Sequence, residues 1–136
     1  MKRPLLFAYQ LLTGASDASA GLLLLFTPAL TLRLMGLHVE TSALPFVAYI
    51  GAFVLSVGVA CLYGALLVQR ARSAQRLETV WLLTAITRAL VAVFVTVNVV
   101  VGTLQTGWMT VAMTDGALAL LQAIGLYRGW LNDAGA

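Results

Sequence analysis

TGASDASAGLLLL, Thr13 to Leu25, admits two incompatible readings. Ala18-Ser19-Ala20 has the small-x-small form of a signal-peptidase site, set behind the basic start Lys2-Arg3 and a short apolar run, and cleavage there would discard Asp17. Read uncut, the same stretch puts a carboxylate in the middle of a membrane helix, where an acid is costly and usually has a task. Continuity favours the uncut reading. Gln10, Thr13, Ser16, Asp17 and Ser19 interrupt the apolar run, yet Gly21 to Phe26 continues it unbroken. Cleavage after Ala20 would strand a short apolar stub that spans nothing.

The rest of the chain agrees with a membrane setting. Of 136 residues, 61% are hydrophobic and 10% charged, with a mean hydropathy of +0.96. Soluble domains carry about 25% charged residues. No linker composition divides the chain, so one domain covering 1–136 is expected. The net charge of +3 comes from scattered basic residues and does not form a nucleic-acid surface. A single cysteine, Cys61, leaves no intrachain disulfide and no dithiol pair.

Four segments, about 5–27, 43–68, 77–103 and 106–130, are long enough to cross a hydrocarbon core of roughly 30 Å. The stretch Ala29 to Leu37 reads as a short interfacial helix or turn, and Ser42 is placed to cap the second span. Short links predict an all-α, integral-membrane four-helix up-down bundle. Lys2, Arg3, Arg70, Arg72, Arg76 and Arg128 then fall on one side and Arg33 on the other. The positive-inside rule puts both termini in the cytoplasm, with the chain multi-pass in a bacterial inner (plasma) membrane. Tyr9, Trp81, Tyr127 and Trp130 would form an aromatic belt at the inner interface, with Tyr49 and Trp108 at the outer one.

Polar residues recur at helical spacing. Gln10, Thr13, Gly14, Asp17 and Gly21 share a face of the first span. On the third, Trp81, Thr84, Ala92 and Gly102 surround Arg88, with Asn98 at the margin; on the fourth, Asp115 goes with Trp108, Ala119 and Gln122. The second offers a small apolar face, Gly51, Leu55, Gly58 and Leu62. Counting depth at about 1.5 Å per residue, Asp17 lies roughly 18 Å into its span, Arg88 roughly 16 Å and Asp115 roughly 14 Å from the opposite side. All three charges reach the midplane, where an unpaired charge costs about 2.5–3.5 kcal/mol or more. Pairing is therefore expected, with Arg88 able to take one carboxylate on each arm of its fork. Gln10, Thr84, Asn98 and Gln122 would complete the network.

Two uses of such a centre stand side by side. It can lock helix register as a buried ion-pair network, or it can bind a lipophilic molecule or a proton. His38 is the only histidine and lies in a link, so neither bis-histidine haem nor a metal cluster is expected. No Walker, nucleophile-elbow or zincin pattern appears.

The text AGLLLLFTPALTLRLMGL followed by AYIGAFVLSVGVACLYGALL resembles the first half of small bacterial DoxX-like four-helix membrane proteins and their uncharacterised relatives. The shared features are a first helix ending in Pro, Arg and Gly-Leu and a second helix with a Gly-rich face. The resemblance implies a four-helix membrane bundle, in some cases with quinone-linked or thiol-redox partners, and carries no catalytic residue over.

The leading expectation is a non-enzymatic inner-membrane protein. It would be an accessory or scaffold subunit, or a binder of a small lipophilic molecule, a quinone among the candidates. Its buried centre would be Asp17, Arg88 and Asp115. The alternatives are a small proton-coupled transporter using Asp17 and a quinone-linked membrane oxidoreductase subunit. The expected partners are the lipid bilayer, a lipophilic small molecule, and either a second copy in a homodimer or a membrane-complex subunit.

Overall fold

The computed structural model describes residues 1–70 and 74–132. Arg72, counted above among the basic residues of one side, lies outside them. Among the described residues every regular element is helical: α1 Arg3–Phe26, α2 Pro28–Leu34, α3 Leu44–Gln69, α4 Ala74–Val100 and α5 Met109–Tyr127, with 3-10 turns at Thr41–Ala43 and Thr106–Trp108. Three stretches are long and apolar enough to cross a membrane, Thr41–Gln69, Ala74–Val100 and Thr106–Tyr127, the pattern of a multi-pass membrane protein. α1 has 24 residues, about 36 Å at the helical rise, and runs unbroken through Ala18-Ser19-Ala20. Its polar residues keep it out of that group of three.

Two antiparallel hairpins make up the molecule. In the first, α1 and α3 touch backbone to backbone. A Cβ added to Gly14 would stand 2.8 Å from the Leu62 nitrogen, and one added to Gly51 would stand 2.6 Å from the Leu25 nitrogen. Gly21 abuts Leu55 and Gly58 abuts Ala18 in the same way. As the α1 partner advances from 14 to 25 the α3 partner retreats from 62 to 51, so small residues of each helix receive larger ones of the other. The small-residue run of α1 thus serves the fold itself, as close helix packing in membranes requires.

The second hairpin, α4 with α5, is joined through side chains. Trp81 packs over Gly125, Thr84 meets Gln122, Arg88 meets Asp115, and Ala92 lies against Gly116. The hairpins meet mainly where α3 passes α4.

An apolar cluster of Leu6, Leu67, Val68, Leu77, Trp81 and Leu131 closes the end at which α1 begins, here the near end. A second, of Leu24, Leu32, Leu37 and Val47, sits under α2 at the far end.

Several boundaries and placements differ from the sequence expectation. α4 stops at Val100 because Gly102 takes φ +80°, so Gly102 belongs to a helix-ending turn and not to the polar face. Gly129, at φ +64°, likewise follows the end of α5, short of Trp130. Ser42 does not cap α3; its hydroxyl turns back to Glu40 Oε2 at 3.4 Å, and Ala43 stands at the cap position. Trp81 is no belt residue. It is fully buried, tilted against Tyr9 with ring centroids 5.3 Å apart.

Candidate functional site

Arg88 sits at the fourteenth position after the start of α4, and Asp17 at the fourteenth after the start of α1, about 21 Å up each helix. Asp115 comes down α5 from the far end to the same level. The two hairpins therefore bring three charges to one depth, and the structure joins them. Arg88 Nη1 donates to Asp115 Oδ1 at 2.8 Å, and Nη2 donates to Asp17 Oδ2. One guanidinium fork thus spans from α4 to α1 and to α5 at once. A lysine, with a single compact ammonium, could not hold both carboxylates in this planar geometry.

Burial within the triad is uneven. The Arg88 side chain is 3% exposed, whereas Asp17 is 19% and Asp115 21% exposed. The guanidinium is packed inside and the carboxylates form the open edge. Each aspartate commits one oxygen to Arg88. Among the described residues, Asp17 Oδ1 and Asp115 Oδ2 have no hydrogen-bond donor. With both acids ionised the triad carries one net negative charge on that edge.

Gln10, Thr84 and Gln122 form a separate layer rather than completing the triad. Gln10 and Trp81 each lie seven residues before the charged residue of their helix, and Gln122 seven after Asp115, about 10.5 Å toward the near end. Gln122 Nε2 donates to Thr84 Oγ1 at 2.8 Å, while the Thr84 hydroxyl donates to the Val80 carbonyl at 2.7 Å. Gln10 is fully buried, and its amide is accommodated by Gly64, whose missing Cβ would overlap Nε2.

Asn98 is not brought to the centre. Ten residues beyond Arg88 places it about 15 Å away along the helix. There its Nδ2 donates to the Phe94 carbonyl at 2.8 Å and its Oδ1 accepts from Thr103 Oγ1 at 2.7 Å, so it finishes the last turn of α4.

Cys61 is fully buried on α3, three residues after Gly58 and so on the face that packs on α1. It stands there as a small core residue, as its apolar setting in the sequence suggests.

A separate cavity of about 510 Å³ opens under α2, lined by Arg33 and His38 among apolar residues that include Leu30, Leu37 and Leu44. It lies at the far end and shares no residue with the charged centre.

Comparison with models of known protein families, with curated proteins and with solved structures finds no match to this chain.

Proposed function

We propose that the chain is a non-enzymatic four-span protein of the bacterial inner membrane that holds a small lipophilic molecule against the open edge of the Asp17–Arg88–Asp115 centre. One observation carries this reading. Two carboxylate oxygens at mid-depth, Asp17 Oδ1 and Asp115 Oδ2, have no donor among the described residues, on side chains 19% and 21% exposed. A network whose only task was register would seal its charges, because an acid facing hydrocarbon is costly. A bound molecule with a polar head and an apolar body covers both oxygens and turns its apolar part to the lipid.

In this reading α1 crosses the membrane with the other three long helices, its polar residues turned to α3 and α4. Lys2, Arg3, Arg70, Arg76 and Arg128 lie toward the near end, which the positive-inside rule assigns to the cytoplasm together with both termini. The DoxX-like resemblance supports the same four-helix architecture and makes a quinone one candidate occupant. A role as accessory subunit of a larger complex is compatible with the same site.

The test is extraction. Purified, delipidated wild-type protein is expected to release a small molecule, identified by mass spectrometry and, for a quinone, by its absorption. The Asp17→Asn/Asp115→Asn double variant is expected to lose it. The same small-molecule complement in both proteins would refute the reading. The transporter alternative is separated by flux in proteoliposomes, since proton-coupled transport through Asp17 cannot survive Asp17→Asn.

A further inference from the structure

The layer below the charged centre has a chemistry of its own. Five polar atoms there are buried without any hydrogen-bond partner in the protein: Tyr9 Oη, Gln10 Nε2, Gln10 Oε1, Trp81 Nε1 and Gln122 Oε1. Native interiors leave few such groups, and each one signals something bound or a functional strain. Among the described residues one further buried side-chain atom lacks a partner, Arg88 Nε in the charged centre, so five of six belong to residues of this layer.

Their orientations follow from the neighbours. The Thr84 hydroxyl gives its proton to Val80, so its oxygen must accept, and the Gln122 amide has to present nitrogen to it. Gln122 Oε1 is thereby left as a bare acceptor. Trp81 Nε1 is a bare donor, Gln10 supplies donors and an acceptor, and Tyr9 Oη can act as either. Contacts fix the individual side chains: the Tyr9 and Trp81 rings are 5.3 Å apart, Gly125 lies under the Trp81 ring, and Gly64 lies against the Gln10 amide beside Leu77.

We propose that Tyr9, Gln10, Trp81 and Gln122 form an occluded hydration site that binds about two water molecules, each satisfying about three of the polar groups. Mixed polarity decides the ligand class. A metal cation would meet the indole and amide N–H donors, and an anion would meet two carbonyl oxygens, with the neighbouring Arg88 already committed to two carboxylates. Water donates and accepts. A ring-sized ligand is excluded by the close seating of Trp81 on Gly125 and of Gln10 on Gly64. The site is not a channel, because Leu6, Leu77 and Leu131, all fully or almost fully buried, close it one turn nearer the end of the bundle. It goes beyond the small-molecule reading of the charged centre and stands whether or not that reading holds.

Gln10→Leu distinguishes a wet site from a dry one by sign. In a dry layer the substitution removes two unsatisfied buried groups at nearly constant volume and raises the melting temperature in detergent. In the hydrated site it removes ligands of bound water and lowers the melting temperature by about 3 °C or more. A rise overturns the proposal. X-ray radiolytic labelling of the wild-type protein gives a second reading that needs no variant. Bound water generates hydroxyl radical in place, so Trp81 is expected to oxidise at low dose although fully buried. Labelling no faster than that of other buried side chains overturns it as well.

Discussion

The two hairpins solve the same packing problem with opposite means. α1 and α3 approach until glycine backbone meets side chain and main chain of the partner, at Gly14, Gly21, Gly51 and Gly58. Among the described residues the side-chain hydrogen bonds between α1 and α3 are confined to the near end, where Arg3 donates to the Val68 and Gln69 carbonyls at 3.0 and 2.8 Å. α4 and α5 stand further apart and are joined by an indole over Gly125, an amide to a hydroxyl and a guanidinium to a carboxylate. The lesson is one of tolerance. A backbone interface has no slack for added volume, whereas a side-chain interface loses its contacts one at a time.

That contrast can be broken most severely at Gly58, where the Ala18 Cα and Asp17 carbonyl carbon would lie 2.8 and 2.9 Å from an added Cβ. Gly58→Leu is expected to cost upwards of about 4 kcal/mol and abolish the monodisperse species on size-exclusion chromatography. The next largest effect belongs to the joint between hairpins. Arg88→Ala leaves two carboxylates without their cation and is expected to cost about 3–5 kcal/mol, read as a fall in melting temperature. A cycle with Asp17→Asn sharpens this, since a shared bridge requires a coupling of at least about 1 kcal/mol, and strictly additive losses would show that the two do not act together. Smallest is Thr84→Val within the second hairpin. It deletes the acceptor for Gln122 Nε2 and is expected to cost about 1 kcal/mol by equilibrium unfolding, without loss of assembly.

The meeting of Asp17, Arg88 and Asp115 is legible in the sequence, because helical rise and span boundaries convert residue number into depth and period fixes the face. The partner of the glycine face was not legible. Spacing marks a surface for close approach but carries no address, and α1 could equally have used it against another chain. Gln10 and Gln122 share a face with the acids, yet seven residues is two turns, too far for either amide to reach Arg88. Asn98 was misassigned for a related reason: near a helix end the local carbonyls and Thr103 compete for its amide. Trp81 looked interfacial because aromatic residues near span ends usually are, but its helix begins at Ala74, which sets it about 10 Å into the bundle.

The link between His38 and Gln105 gives the assembly its mechanics. The Gln105 side chain donates to the His38 carbonyl at 2.6 Å and accepts from the His38 N–H at 3.2 Å, so one amide grips both backbone groups of a single residue on the other hairpin. The hairpins are thus pinned at the far rim by this clasp, at mid-depth by a guanidinium and at the near end by an apolar cluster. At the near end the Met1 amino group adds a hydrogen bond to the Trp130 carbonyl at 2.9 Å, so the seam is tied at three levels by different chemistries. Opening is therefore expected to start at different levels under different insults: at the rim in a hydrogen-bonding denaturant, at the centre when its charges are removed, and at the near end in a detergent that competes for leucine.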